Sequence, residues 1–340
     1  MSQEPIIPVV LLCALPASGK SETRAFLRSL PVEKSRAEFK IGFPTVQLDD
    51  YPYVEMMRIF DNELQKLHQK RTFYWSEYFP AMNNYVWGAL MRLLNEDYFD
   101  VINNKVIETA EPMKWIMGRF DRVFTELGFE APFAKYDADT IQKLITKFDP
   151  HCANFLKEKN EYARTYNKDR TIIIEFARGG GAGSERYPDF FPLPDPFGYQ
   201  YSLRQLCPEI LSNCAMLYIK VTPEQSFAKN LSRAPPIGWD GSGDIFHCVP
   251  EMVMKFDYGC DDFEYMLKVS EQPDCLTVVS DADKKKYFIP VGIFDNTEDL
   301  TTFCRGKPEE WPKESIDKIY KATTTAFTGL LAQYLKLHSQ

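Results

Sequence analysis

With 340 residues, 44% of them hydrophobic and 14% aromatic, the chain carries enough apolar material for one large core or two ordinary ones, which excludes a disordered protein. Its net charge of −8, with no stretch that gathers Lys and Arg, argues against an extended nucleic-acid-binding face and leaves room for a local basic pocket. Eight cysteines without a Cys-x-x-Cys pair fit reduced thiols in a cytoplasmic protein, and no apolar run approaches the ~20 residues that cross a bilayer.

The first element is an apolar run, Val9 to Cys13, that reads as a buried strand. It is not the core of a signal peptide, because Glu4 stands where a basic n-region belongs. The strand leads without a spacer into Ala14-Leu15-Pro16-Ala17-Ser18-Gly19-Lys20-Ser21 and a helical segment, Glu22 to Leu30. In such a strand–loop–helix turn the loop amides and the helix N-terminus converge, and their partial positive charge suits a phosphate chain. The octet resembles the Walker A motif of P-loop nucleotide-binding proteins, close to the form in P-loop small-molecule and polynucleotide kinases, with Ala14 in place of the usual first glycine. The resemblance implies that Ala14, Pro16, Ala17, Ser18, Gly19 and Lys20 cradle ATP and that Ser21 ligates Mg²⁺.

Lys34 to Lys40 is charged and reads as a loop, and Phe43 to Leu48 as a second strand that ends in Asp49-Asp50-Tyr51-Pro52. Ligands of open parallel sheets sit at the carboxyl ends of the strands, so these acids face the phosphate loop, unless one of them caps the next helix. Uridine-kinase-like and polynucleotide-kinase-like enzymes carry an acid here that binds or deprotonates the acceptor hydroxyl, which implies that role for Asp49 or Asp50. Residues 52–168 read as a helical insertion, with Met57, Phe60, Leu64 and Leu67 at helical spacing, as are Ile116, Phe120, Val123 and Leu127. The aromatic stretch Phe73 to Phe79, with Tyr85 and Trp87, is expected to fill the core of that subdomain, and stacking on a base or sugar is its other use. Arg58 is a candidate contact for an anionic acceptor, as are Arg71 and Arg92, with solvated helix faces as the alternative.

A polar helix, Ala153 to Tyr166, precedes Arg170-Thr-Ile-Ile-Ile-Glu175, a buried strand that delivers a carboxylate to its tip. After a Walker A motif this resembles Walker B, which implies that Glu175 holds the water shell of Mg²⁺, although Asp is the usual residue there. Arg178 and the glycines that follow read as an acceptor-binding turn or a surface loop. A helix from Ser202 to Asn213, a strand from Met216 to Val221 and a helix opening at Thr222-Pro223 come next. Residues 229–257 resemble a kinase lid, in which Arg233 would touch the transferring phosphate or remain a surface arginine. The strand Tyr287 to Phe294 is expected to be kinked or at an edge because of Pro290, and the resemblance places Asn296 against the adenine. A helix after Pro312 covers the sheet.

Together these elements predict an α/β chain, one domain over 1–340, with the three-layer sandwich of P-loop NTPases, a parallel five-stranded sheet, an acceptor-binding insertion and a lid. The strand order 2-3-1-4-5 follows from the resemblance alone. The function expected is ATP- and Mg²⁺-dependent phosphoryl transfer to a hydroxyl of a small-molecule acceptor, such as a nucleoside, nucleotide or sugar derivative. A P-loop ATPase or nucleotide-binding module with a protein partner, and a polynucleotide 5′-kinase, are the alternatives.

Overall fold

Continuous apolar runs suit strands buried on both faces, and three runs of this chain form such strands in a computed structural model that describes residues 5–183, 190–233 and 248–338. They are β1 (Val9–Cys13), β3 (Ile172–Phe176) and β4 (Cys214–Lys220), joined by β2 (Val46–Asp49), β5 (Cys275–Val279) and β6 (Lys286–Asp295). The six strands lie in one sheet in the order β2-β3-β1-β4-β6-β5. All neighbours are parallel except β5, which runs antiparallel to β6.

The sheet corrects the expectation of five strands. Cys275–Val279 is a run of β-favouring residues whose short connection to β6 makes a hairpin, and β5 takes the edge. Consequently β6 is an interior strand despite Pro290, with β4 on its other side.

Twelve α-helices are described. They are α1 (Lys20–Ser29), α2 (Val32–Phe39), α3 (Tyr51–Lys66), α4 (Val86–Ile102), α5 (Pro112–Glu126), α6 (Ala138–Thr165), α7 (Gly198–Arg204), α8 (Pro208–Leu211), α9 (Pro223–Leu231), α10 (Glu251–Asp257), α11 (Phe263–Lys268) and α12 (Lys313–His338). Helix α2 replaces an expected loop. Its charges face outward, while Phe39 is fully buried with its ring 5.0 Å from that of Phe327 on α12. The single helix read at Ser202 to Asn213 is two short ones, separated before Pro208. No described helix is long and apolar enough to cross a membrane. Most of the expected lid, residues 234–247, lies outside the described residues, and its C-terminal part is α10.

Side chains alternate across a strand, so each strand serves two cores. Val10, Leu12, Ile173, Ala215 and Leu217 pack with Phe26 of α1 and Phe327 of α12. Val9, Leu11, Ile172 and Ile174 pack with the inserted helices α3 to α6. The insertion therefore shares the hydrophobic core of the sheet.

A buried ionic cluster runs through the insertion. Arg119, 2% exposed, donates to Asp97 at 2.8 Å and Glu96 at 2.6 Å, and also to the carbonyl of Leu93 and the Tyr53 hydroxyl. Lys159 lies 2.8 Å from Asp100 and 3.3 Å from Asp97. Removing one member of such a set strands the others without water. Arg119→Met is expected to lower unfolding stability by about 3–5 kcal/mol, read as a fall in the urea midpoint at unchanged slope.

Candidate functional site at the strand tips

The chain leaves β1 at Cys13 and turns through residues 14–19 before α1 begins at Lys20. Ala17 and Gly19 adopt positive φ, 56° and 99°. A side chain on Gly19 would be strained by that angle, and its Cβ would lie 2.4 Å from Thr301 Oγ1 and 2.9 Å from Asn296 Nδ2. The loop is pinned by its carbonyls. Asn296 donates to Ser18 O at 2.8 Å, Ser226 to Pro16 O at 2.7 Å, and Ser18 Oγ to Leu15 O at 2.6 Å. Helix α1 has no side-chain cap, so its first amides are not taken by a capping residue.

Lys20 is half-buried, with Nζ 3.5 Å from Leu15 O, and Ser21 is exposed at the start of α1. Next to them Glu22 is buried and accepts from Arg233 at 2.9 Å and Arg305 at 2.8 Å, both on Oε1. Burial pushes the Glu22 carboxyl up, but the Arg305 hydrogen bond and the Arg233 charge outweigh it and hold the group below its usual range. Arg233 thus sits at the N-terminal end of α1, paired with an acid.

The two consecutive acids after β2 have opposite environments. Asp49 is half-buried, stands in register with Glu175 of β3, and its Oδ1 accepts the Tyr51 amide at 2.8 Å. Burial, then the charges of Glu175 and Asp50, push its carboxyl up to about 7, against the Tyr51 hydrogen bond and Lys20. Asp50 is buried and accepts from Arg178 Nη1 at 2.6 Å. Asp50, the residue before α3, makes no side-chain cap to it, whereas Asp49 takes the amide of its first residue.

Several expected ligand contacts are occupied from within the protein. Arg178 is 2% exposed, donates to Asp50, Ser202 and Ala177 O, and lies over the Trp87 ring at 5.1 Å. Its guanidinium is thus largely committed within the protein, and its buried Nη2 has no hydrogen-bond partner. Arg58 donates to Glu77 O and stacks 4.0 Å over Tyr74, which latches α3 to the aromatic turn. Asn296 is fully buried and bonds Ser18 O, Thr301 and the Leu300 amide, so it braces the loop and has no free face for an adenine ring. Glu175 is ion-paired with Arg24 of α1.

The aromatic stretch divides. Phe73, Tyr74 and Trp87 are buried, whereas Trp75, Tyr78, Phe79 and Tyr85 are exposed. The turn that presents them is held by Asp61, whose carboxylate accepts the amides of Thr72, Phe73 and Tyr74.

Sequence reasoning missed Arg24, Ser226, Thr301, Arg305 and Asp257. Arg24 had a signal, its position one helical turn beyond Lys20. The others come from distant segments with no local pattern. Among the described residues no group of three or more His, Cys, Asp or Glu side chains is arranged to hold a metal ion. The oxygens of Ser21, Asp49 and Glu175 are hard donors of the kind Mg²⁺ accepts when phosphates and water complete its shell.

Asp257, at the end of α10, is 2% exposed, and its Oδ1 has no hydrogen-bond partner. Burial pushes this carboxyl up to about 7, with Arg58 opposing. A carboxyl raised on folding stabilises the protein while it is protonated, and that contribution fades as pH rises from about 4 through about 7. Asp257→Asn is therefore expected to raise Tm near neutral and alkaline pH, by about 1–3 kcal/mol of stability, and to change it little near pH 4. Thermal melts of both proteins across that range check it.

Set against protein-family models, curated proteins and solved structures, the chain matches none of them.

Proposed function

We propose that the protein is a P-loop kinase that transfers the γ-phosphate of ATP to a hydroxyl of a small-molecule acceptor. One observation carries the reading. At the carboxyl ends of β1 and β2, a glycine-dependent loop opening an uncapped helix stands within electrostatic reach of a half-buried acid, Asp49, through Lys20.

In this reading the loop amides and the N-terminus of α1 bind the phosphate chain, and Lys20 neutralises its outer oxygens. Ser21, with water held by Glu175, would hold Mg²⁺, which would supply further charge neutralisation when bound with ATP. Asp49 orients the acceptor hydroxyl and takes its proton as the oxygen bonds to phosphorus, while the bridging oxygen leaves on ADP. Of the two acids, Asp49 suits this role because the other is already committed to Arg178. Asp50 and Arg178 then act as a brace that fixes the start of α3 to the end of β3.

The test is γ-phosphate transfer with ATP and Mg²⁺ to pooled nucleosides, nucleotides and sugars. Lys20→Ala is expected to abolish transfer, and Asp49→Asn to lower kcat by about 10²–10⁴-fold with ATP binding retained. Asp50→Asn leaves Arg178 buried without its counter-charge and is expected to reduce stability by about 3–5 kcal/mol. Full transfer by Asp49→Asn would falsify the assignment of the base. ATP turnover indifferent to every pool would instead indicate an ATPase.

A further inference from the structure

Polar side chains from separate segments are buried without a full set of partners near the carboxyl end of the sheet. Arg178 beyond β3, Tyr74 of the aromatic turn and Asp257 at the end of α10 are each 2% exposed. Nη2 of the arginine, the hydroxyl of the tyrosine and Oδ1 of the aspartate have no hydrogen-bond partner. Each such group is costly to bury, so a fold that keeps several of them together gains from whatever supplies their partners.

Contacts around these residues link them into one cluster. A Cβ on Gly179, next to Arg178, would lie 2.9 Å from the carbonyl oxygen of Asp257 and 2.4 Å from that of Cys260. Main-chain bonds clasp the two segments there, from Gly180 N to Cys260 O at 2.9 Å, Gly259 N to Gly180 O at 2.8 Å and Ala182 N to Lys255 O at 2.7 Å. The Arg178 guanidinium lies over the Trp87 ring, which meets the Tyr258 ring edge-on at 5.8 Å. Arg58 stacks on Tyr74 at 4.0 Å, and its charge acts on Asp257. The set is chemically mixed, with a guanidinium that donates, a carboxyl that accepts and a phenol that does either. A bare anion would meet Asp257, and a bare cation would meet Arg178. A hydroxyl both donates and accepts, so it suits all of them, and the rings of Trp87 and Tyr258 offer apolar faces to the carbons that carry it.

We infer that Arg178, Tyr74 and Asp257 bind the hydroxyls of the acceptor, and that the acceptor is a polyhydroxylated molecule such as a sugar or nucleoside. The inference rests on the kinase reading for the transfer step, whereas binding is a property of these residues alone. Arg178 bonds Asp50, the neighbour of Asp49 in the chain, so the set adjoins the acid assigned to the reacting hydroxyl. The three unpartnered atoms are closed off from solvent, so α10 has to lift from the glycine segment to admit the ligand. That movement breaks the main-chain clasp, and the ligand's hydroxyls replace it with partners for the buried groups.

The experiment is calorimetric binding of D-ribose, D-glucose and uridine to the full chain, to Asp257→Asn and to Tyr74→Phe, with thermal melts and phosphoryl transfer measured on the same proteins. At least one probe is expected to bind, about tenfold more weakly to Asp257→Asn and about three- to tenfold more weakly to Tyr74→Phe. Neither substitution is expected to lower Tm, because each removes or eases an unmet buried group. Weaker binding at an undiminished Tm is the signature of a ligand contact, since a merely structural role would move both together. No binding of any probe, unchanged binding in either variant, or weaker binding matched by a lower Tm overturns the site. Transfer to a probe whose binding ignores both substitutions overturns it while the kinase reading stands. Binding that responds to both, without transfer to any probe, supports the site and counts against the kinase reading.

Discussion

The close approach of the chain at Gly19 is the constraint on which the strand tips depend. The segment after β6 comes so near that Thr301 Oγ1 occupies the space of a Cβ, and Asn296 uses its amide to hold Ser18 from the same side. That contact joins the two ends of the sequence across β1, β4 and β6. It lets a loop that is almost entirely buried keep its amides and the start of α1 uncapped. Ser226, at the opposite side of the loop, repeats the device at Pro16. The loop is shaped from behind by distant segments, and its own composition only makes that shape permissible.

Neighbouring acids illustrate how environment divides labour between identical side chains. Asp50 is buried against a guanidinium that also bonds Ser202 and covers Trp87, so its position is fixed. One residue earlier, Asp49 faces the carboxylate of Glu175 across the β2–β3 register and has no cation bonded to it. Desolvation and like charge raise its proton affinity into the physiological range, where a group can both take and release a proton. Glu175 stays compatible with this crowding because Arg24 pairs with it from α1. Of Glu22, Asp49, Asp50 and Glu175, each but Asp49 is bonded to a basic side chain.

The insertion follows a different logic. Its helices pack on the sheet through one continuous apolar cluster, yet they also bury Asp97, Asp100, Arg119 and Lys159. Burying ions gains little stability compared with apolar packing, and its better-attested use is to fix one arrangement. Here Lys159 ties α6 to Asp97 and Asp100 of α4, and a cavity lies between α6 and the edge of β2.

Much of the fold was legible because strands and helices announce themselves locally. Val9–Cys13 and Ile172–Phe176 are apolar runs that could only be buried strands once small-residue turns bounded them, and Thr222-Pro223 marked a capped helix start that forms with Gln225 as a capping box. The charged run of α2 hid its one anchor, Phe39, because a single aromatic gives no periodicity. The antiparallel β5 was equally silent, since a short strand at an edge is defined by its partner.

At the site, the sequence by itself determined which residues stand at the strand tips, because a residue that ends a strand stays at the end of that strand. It determined the glycine, the lysine and the two acids in that sense. Only the tertiary structure decided which of them are free. Arg178, Asn296 and Glu175 are each taken by a partner from another segment, and Asp49 is distinguished from Asp50 by a guanidinium that lies 128 residues further along the chain. Pairing across such distances depends on how the helices and strands pack, and no local pattern of residues encodes it.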